Sequence, residues 1–222
     1  MSQHSQHHNH TWDNWPGWST ISANDTLSFT LWLTGLPGTG KTTLAHLIKK
    51  TLVARGYKIE ILDVQTLSRW LNRELHIRED IREDRSHTPG YDAFMAYMCA
   101  MLARNGIISI TSSVSPFQEA RTFAREQIAQ FIEVYLHCSA EQGRKRLEEQ
   151  ETTSTIPADL YQPPTKAELS IDTSQELPER SALRVIAYLE QHGFVAPLWQ
   201  DEDTDDEIAS IKARLQSLGY LD

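Results

Sequence analysis

Eight residues combine the glycines, the lysine and the threonine that commonly hold polyphosphates. Residues 35–42 read GLPGTGKT, which fits the P-loop pattern G-x-x-x-x-G-K-[ST]. Glycines let such a turn curl tightly, so that several backbone N–H groups point inward at phosphate oxygens. The residues expected to hold the phosphates are Gly35, Leu36, Pro37, Gly38, Thr39, Gly40, Lys41, Thr42 and Thr43.

Lys41 and Thr42 are the members of this turn with a chemical role. The Lys41 ammonium is expected to reach the β- and γ-phosphates, and the Thr42 hydroxyl is expected to bind Mg²⁺. The helix that begins near Lys41 adds its positive N-terminal end. An apolar strand before the turn and a helix after it distinguish a P-loop from a glycine-rich linker. We therefore predict that the protein binds a nucleoside triphosphate and Mg²⁺.

Asp63 is the acidic residue expected beside the γ-phosphate. It closes the apolar segment KIEILD, residues 58–63, and small P-loop kinases place a carboxylate at the end of the second strand. A role in capping the following helix is compatible with this position. We predict that Asp63 is catalytic, together with Lys41, and that it belongs to the metal site with Thr42.

The chain lacks the signature motifs of two other classes of P-loop protein. The N-K-x-D motif with which GTPases read the base is absent from the sequence. Motor ATPases carry a carboxylate at the end of the third strand, but this chain reads IISITSSVSP at residues 107–116. A small kinase is therefore the favoured class.

Alternating strands and helices must position these residues. Apolar strands are predicted at residues 28–34, 57–63, 106–112, 131–137 and 167–172. Helical spacing follows the P-loop up to Gly56, and further helices are predicted near residues 66–75, 91–104, 117–129, 140–149 and 175–192. This alternation predicts an α/β fold, the three-layer α/β/α P-loop NTPase fold with a five-stranded, mainly parallel sheet.

The chain length and the hydrophobic fraction of 40% are typical of one domain with appendages. We predict a kinase domain over residues 25–192. Residues 1–24 are expected to form a flexible tail that contains histidine and tryptophan. Residues 193–222 hold the acidic run DEDTDDE and a C-terminal helix. Residues 151–166 are predicted to be a lid loop.

The composition of the chain limits the kinds of binding partner that we expect. The net charge of −9 argues against nucleic-acid binding, which usually shows a basic stripe. No apolar run approaches the ~18 residues of a membrane span, so no membrane partner is expected. Cys99 and Cys138 are predicted to be free thiols in a reducing compartment. We expect a cytoplasmic protein whose partner is a small-molecule substrate.

From about residue 29 to residue 190 the chain resembles the adenylylsulfate (APS) kinase family. The resemblance rests on GLPGTGKTT, LDVQTLSRWLNREL, SSVSPFQEARTFAR and FIEVYLHCSAEQGRKR, with a weaker match in YQPPTKAELSIDTS. It implies transfer of the γ-phosphate of ATP to the ribose 3′-hydroxyl of APS, a step of sulfate assimilation. Asp63 would be the base for that hydroxyl or would help to hold Mg²⁺. The resemblance also implies a homodimer.

The resemblance assigns further site residues. Arg146 aligns with an arginine of the nucleotide site. The acceptor site would comprise Arg69, Ile77, Arg82, Arg85, Val114, Ser115 and Pro116.

Several acceptor positions depart from the family pattern. Gln65 stands where the family has a second aspartate, and Ser68 stands where it has an arginine, although Arg69 is adjacent. Ile77 replaces a phenylalanine that stacks on the substrate base, and Arg85 replaces an asparagine. These departures leave two alternatives open. One is a kinase of this family that acts on another nucleotide or small alcohol, and the other is a regulatory module that binds nucleotide without turnover.

The lid departs as well. The family carries a lysine pair there, whereas residues 147–162, LEEQETTSTIPADLYQ, contain neither lysine nor arginine. Carboxylates brought over bound polyphosphate would repel it. Arg121 and Arg125 lie four residues apart on one helix face, so they are expected to flank phosphates or to pair with Glu119 or Glu126.

Overall fold

The computed structural model describes residues 28–64, 66–67, 89–150 and 156–198. Its five strands form one sheet in the order β2-β3-β1-β4-β5, and every neighbouring pair is parallel. The strands are β1 (Thr30–Thr34), β2 (Ile59–Asp63), β3 (Ile108–Ser112), β4 (Phe131–His137) and β5 (Leu169–Asp172). The five predicted strands and the parallel sheet are confirmed.

Helices connect the strands and cover the sheet. They are α1 (Lys41–Ala54), α2 (Pro89–Arg104), α3 (Gln118–Gln127), α4 (Ala140–Glu149) and α5 (Pro178–Gln191), with a short 3₁₀ helix at Ala158–Leu160. The helices predicted at 91–104, 117–129, 140–149 and 175–192 are thereby confirmed, with small shifts at their ends. The helix predicted at 66–75 lies almost entirely outside the described residues, as does the lid segment 151–155.

Two hydrophobic clusters pack on opposite faces of the sheet. Successive side chains of β1 point to opposite faces, and the strand is buried along its whole length. Leu31 and Leu33 join side chains of α1 and α5 in one cluster. Trp32 joins side chains of α2 and α3 in the other. The predicted three-layer α/β/α architecture follows from this division.

The packed body continues past the predicted domain boundary at residue 192. Val195 is buried in the core next to α5, and the Phe194 ring meets Phe29 edge-on, with ring centroids 5.5 Å apart. Residues 1–24 and 199–222 lie outside the described residues.

Both cysteines are free thiols, as predicted, and Cys99 is buried. Among the described residues, no helix has the length and hydropathy that a membrane crossing would require.

Candidate active site

The P-loop follows the central strand β1 and folds against β4 and α4. Gly35 and Gly38 have φ angles of +149° and +80°, a backbone region that side chains disfavour. A Cβ atom at Gly35 would lie 2.1 Å from the carbonyl oxygen of Leu136, and one at Gly38 would lie 2.4 Å from that of Gly143. Only glycine therefore permits this close approach.

The N-terminus of α1 faces into the turn. The helix begins at Lys41 after Gly40, which offers no side-chain cap, and the described first turn holds no acidic residue. Its leading N–H groups lack intrahelical partners, as at every helix start. Together with the positive end of the helix dipole, they suit an anion.

Lys41 is buried in this turn, with 8% of its surface exposed. Its ammonium donates hydrogen bonds to the carbonyl oxygens of Gly35 at 2.8 Å and of Leu36 at 2.9 Å. Burial lowers the pKa of Lys41 to about 7, against the opposing attraction of Asp63. A bound polyphosphate would raise that pKa again, because negative charge favours the ammonium form.

Thr42, Asp63 and Ser112 bring three oxygen atoms together at the mouth of the turn. The Thr42 hydroxyl oxygen lies 2.9 Å from the Ser112 hydroxyl oxygen and donates to Asp63 Oδ2 at 3.3 Å. Asp63 Oδ1 also accepts the N–H of Thr66 at 2.8 Å. Asp63 thus makes the capping contact expected of it and faces Thr42 as well.

A cleft of about 330 Å³ runs along the carboxyl edge of the sheet. Of the residues predicted for the site, it is lined by Pro37, Gly38, Thr39, Gly40, Lys41, Thr42, Thr43, Asp63, Val114 and Arg146. Gly35, Ser115 and Pro116 do not line it. Leu36 borders a second cleft of about 500 Å³ beside β4 and α4. The remaining predicted positions lie outside the described residues: Gln65, Ser68, Arg69, Ile77, Arg82 and Arg85.

Arg146 links α4, the P-loop and the end of β5. Its guanidinium donates to the carbonyl oxygen of Gly38 at 3.2 Å and to the hydroxyl and carbonyl oxygens of Thr173 at 3.0 and 2.8 Å. The Thr173 hydroxyl lies 3.1 Å from the Thr39 carbonyl oxygen. Thr173 had no predicted role, although it stands in the quoted segment YQPPTKAELSIDTS.

The prediction for Arg121 and Arg125 is wrong in both of its forms. Arg121 is buried and pairs with Glu133 of β4 at 2.8 Å. Arg125 pairs with Glu168 at 2.6 Å and with Glu133 at 3.3 Å. The shared helix face turns toward the sheet, where the buried guanidinium of Arg121 needs an acidic partner from another element and the partly exposed Arg125 meets Glu133 and Glu168.

Asp92 is a buried carboxyl group that sequence reasoning missed. Its Oδ1 atom accepts the hydroxyl of Ser115 at 2.7 Å and that of Ser113 at 3.4 Å. Burial raises the pKa of Asp92 to about 7, although both hydroxyls and the charge of Arg121 lower it. Only its position after PG at the start of α2 could have drawn notice, and that does not indicate a buried acid.

Comparisons with known proteins agree with this geometry. The family model for adenylylsulphate kinase matches residues 27–172. A probable adenylyl-sulfate kinase of Pyrococcus abyssi is 34% identical over 176 residues, which are 75% of this chain and 98% of that protein. The adenylyl-sulfate kinase of Halothermothrix orenii is 35% identical over 176 residues, 75% of this chain and 91% of that protein.

Solved structures share the fold. The Mycobacterium tuberculosis APS kinase in complex with AMPPNP and APS matches with a TM-score of 0.62 and 24% identity, over 75% of this chain and 99% of that one. Shikimate kinase from Acinetobacter baumannii matches with a TM-score of 0.52 and 15% identity, over 74% and 94% of the two chains. At these identities the likeness concerns the fold alone, and the fold does not select the acceptor.

The sequence relatives, unlike the shared fold, identify the family to which the chain belongs. The family model spans more than half of the chain, and relatives above 30% identity cover three quarters of it. The chain therefore belongs to the adenylylsulfate kinase family.

Proposed function

We propose that this protein transfers the γ-phosphoryl group of ATP to the ribose 3′-hydroxyl of adenylyl sulfate, giving 3′-phosphoadenylyl sulfate and ADP. The observation that carries the proposal is the placement of Lys41, Thr42 and Asp63 around one point at the mouth of the P-loop. The similar proteins of Pyrococcus abyssi and Halothermothrix orenii, both named adenylyl-sulfate kinases, support the choice of acceptor.

The nucleotide would lie on the β4 and β5 side of the cleft. Its phosphates would be held by the N–H groups of the P-loop and by Lys41. Arg146 and Thr173 line the cleft farther along, beside Pro178 at the start of α5. Arg146 is fixed by its bonds to Gly38 and Thr173, so its planar guanidinium is held in place to contact the base.

The oxygen atoms at the mouth of the turn fit Mg²⁺. Magnesium in phosphate sites is usually held by one or two protein oxygen ligands, with substrate phosphates and water completing the shell. Thr42 supplies such a hydroxyl, and Asp63, which lies 3.3 Å from it, would help to hold Mg²⁺ through a bound water molecule and so would keep its carboxylate available to accept a proton. Among the described residues there is no cluster of three or more histidine, cysteine or acidic side chains that would suit another metal. Mg²⁺ bound there would neutralise charge on the transferred phosphoryl group.

The transfer itself requires positioning and one proton acceptor. The 3′-hydroxyl oxygen forms a bond to the γ-phosphorus while the bond to the β,γ-bridging oxygen breaks, and that bridging oxygen leaves with ADP. The proton of the hydroxyl passes to the Asp63 carboxylate. Lys41 stabilises the negative charge of the phosphoryl oxygens.

Product formation tests the proposal directly. ADP release, coupled to a spectroscopic assay, should require both ATP and adenylyl sulfate, and 3′-phosphoadenylyl sulfate should accumulate in equal amount. Lys41→Ala should abolish turnover. ATP turnover that adenylyl sulfate leaves unchanged, but another nucleotide or alcohol accelerates, would indicate a different acceptor. Calorimetric binding of ATP and Mg²⁺ without transfer to any acceptor would indicate a regulatory module.

We also propose that the protein works in the cytoplasm as a homodimer. The free thiols of Cys99 and Cys138 suit a reducing compartment. The homodimer is the state that the family resemblance implies, whereas the APS kinase of Thiobacillus denitrificans, which matches over 76% of this chain and 30% of that one at 22% identity and a TM-score of 0.55, is hexameric. The molecular mass in solution, measured by light scattering, will show whether this chain forms a dimer.

A further inference from the structure

A buried polar cluster lies beneath the segment that follows β3. It consists of Trp32 from β1, Asp92 from α2, and Ser113 and Ser115 from the segment itself. Asp92 and Ser115 are fully buried, each with 0% of its surface exposed, and Ser113 is 2% exposed. The site described above uses none of these side chains except Ser113, which lines the cleft.

Ser115 has an unusual backbone conformation that the cluster holds in place. Its φ angle is +42°, which makes it the one described non-glycine residue with positive φ. Such a conformation is unfavourable for a residue with a side chain and persists only where the surroundings enforce it. The Ser115 N–H donates to the Ser113 hydroxyl at 3.2 Å, and the Ser115 carbonyl oxygen accepts from Arg121 at 2.6 Å.

The Ser115 hydroxyl connects β1 to α2. The indole N–H of Trp32 can only donate, so it uses a lone pair of the Ser115 oxygen, at 3.2 Å. The single hydrogen of that hydroxyl is then left for Asp92 Oδ1, at 2.7 Å. Within the described part of the chain, Asp92 is therefore the acceptor that fixes the rotation of Ser115.

The held segment forms one wall of the phosphate-acceptor side of the cleft. Ser113 and Val114 line the cleft together with Asp63 and Val64. The carbonyl oxygen of Val114 is fixed by the Thr34 hydroxyl at 2.7 Å. Because Ser115 directly follows Val114, a change in its conformation would shift the wall that faces the proposed catalytic base and would leave the Arg146 side of the cleft in place.

We propose that Asp92 is a positioning residue for the phosphate acceptor, because its hydrogen bond to Ser115 sets the conformation of residues 113–116. The acceptor named here rests on the proposed function, whereas the link between Asp92, Ser115 and Trp32 does not. Asp92 acts through Ser115 and touches neither substrate.

The protonation state of Asp92 should change the strength of its hydrogen bond to Ser115. Burial raises its pKa to about 7, so the carboxyl loses its proton close to neutral pH. Among the described residues, α3 presents the positive Arg121, β1 presents the neutral Trp32, and the segment after β3 presents two hydroxyls. Asp92 Oδ2 has no hydrogen-bond partner in the described part of the chain. A carboxylate accepts hydrogen bonds more strongly than a carboxylic acid, so Ser115 should be held more firmly above pH 7.

Kinetics distinguish a positioning role from a general structural one. Asp92→Ala should raise KM for adenylyl sulfate about tenfold, the size expected when a buried hydrogen-bond partner is lost, and KM for ATP should change less than about twofold. Asp92→Asn keeps an acceptor oxygen and should restore KM near pH 6, while it removes the decrease in KM that the wild type shows as pH rises through 7. Equal changes in both KM values, or none, would overturn the proposal.

Two serine variants test the same proposal if Asp92→Ala does not fold. Ser115→Ala deletes the hydroxyl that Asp92 holds and should reproduce the selective rise in KM. Ser109→Ala deletes another buried hydroxyl, which bonds Thr30 at 2.8 Å and lies away from the cleft. It is the matched control and should leave both KM values unchanged. An equal effect of the two variants would contradict the positioning role.

A readout independent of turnover keeps the inference apart from the proposed function. The ¹⁵N–¹H resonance of the Trp32 indole, assigned by its loss in Trp32→Phe, should shift between pH 6 and pH 8.5 in the wild type and stay fixed in Asp92→Asn. This holds even if adenylyl sulfate is not the acceptor. A wild-type resonance that does not shift, or one that shifts equally in Asp92→Asn, would overturn the link.

Discussion

Three side chains at the mouth of the P-loop belong to three different elements. Thr42 lies in the first turn of α1, which the P-loop joins to β1, while Asp63 closes β2 and Ser112 closes β3. In the sheet, β3 lies between β1 and β2, and Asp63 stands opposite Ser112 in the register. Ser112 therefore lies beside both of the others, and the Thr42 hydroxyl lies 2.9 Å from that of Ser112 and 3.3 Å from Asp63 Oδ2. The carboxylate and the two hydroxyls converge because parallel strands end at one edge.

The role of Asp63 can be tested by removing its charge. Asp63→Asn keeps the size of the side chain and the contact to Thr66, but an amide cannot accept a proton usefully near neutral pH. We expect kcat to fall about 100-fold or more, the usual contribution of a general base. Product formation at saturating ATP and acceptor measures this.

Ser112→Ala is the matched control for Asp63→Asn. It deletes a neighbour of Thr42 and leaves the carboxylate in place, so kcat should fall less than about tenfold. A rate unchanged by Asp63→Asn would remove Asp63 from the mechanism.

Helix α3 connects elements that are distant in sequence. Through Arg121 it binds Glu133 of β4, the carbonyl oxygen of Ser115 and, at 2.6 Å, the carbonyl oxygen of Gln162, which lies within the predicted lid. Tyr161 packs beside the same guanidinium, 5.8 Å from its ring centroid, and bonds Thr34 at 3.0 Å. One buried cation thus holds both the segment after β3 and the C-terminal part of the predicted lid.

The buried pair between Arg121 and Glu133 makes α3 a sensitive point for stability. The two side chains are 2% and 7% exposed. Arg121→Met would leave Glu133 buried beside Arg125 alone, so the free energy of unfolding should fall by about 3–5 kcal/mol. Urea unfolding measures this change.

Arg125→Met is the comparison for Arg121→Met. Arg125 is 37% exposed, and its removal should cost about 1 kcal/mol. The double variant Arg121→Met with Glu133→Gln should recover part of the loss, since no charge is then stranded. A loss for Arg121→Met no larger than that for Arg125→Met would show that the buried pair adds little.

These elements differ in how far the sequence predicts them. The P-loop is a local pattern, and β1 to β5 are apolar runs between turns, so both follow from neighbouring residues. Asp63 lies at the end of β2 as predicted, because a strand end is also a local feature, while its catalytic role stays a prediction. The partners of Arg121 and Asp92 lie 12 and 23 residues away, and only the packed fold decides them. The acceptor residues from Arg69 to Arg85 lie outside the described residues and stay predictions.

At the scale of the whole molecule, the strand order would place the two proposed substrates on different sides of β1. The chain places β2 and β3 on one side of β1 and then β4 and β5 on the other side. Ligands of open α/β sheets bind at such a switch point, beyond the carboxyl ends of the strands. The P-loop stands there. β4 and β5 carry the side with Arg146 and Thr173, while β2 and β3 carry the side with Asp63 and Val114. The phosphoryl group would cross between these sides over Lys41.

Buried Asp92 should make the stability of the whole molecule depend on pH. Its pKa is about 7 in the folded chain against 3.8 in the reference state. Between these values the folded state binds more protons than the unfolded state, so the free energy of unfolding falls as pH rises, and this contribution levels off above 7. Asp92→Asn removes it. The variant should therefore gain about 2–4 kcal/mol relative to the wild type between pH 4 and pH 8.

Urea unfolding of both proteins across that pH range measures the difference, in which the contribution of every other titrating group cancels. Asp172→Asn supplies a contrast, because hydrogen bonds from Ser174 lower the pKa of Asp172 from its ordinary value of 3.8. A lowered folded-state pKa gives stability that is already present above the unfolded-state pKa and is lost only as pH falls below it, so the difference between Asp172→Asn and the wild type should stay nearly constant from pH 4 to pH 8. If the difference for Asp92→Asn stays flat from pH 4 to pH 8, Asp92 is already ionised in the folded chain, and the pH dependence expected for Ser115 fails with it.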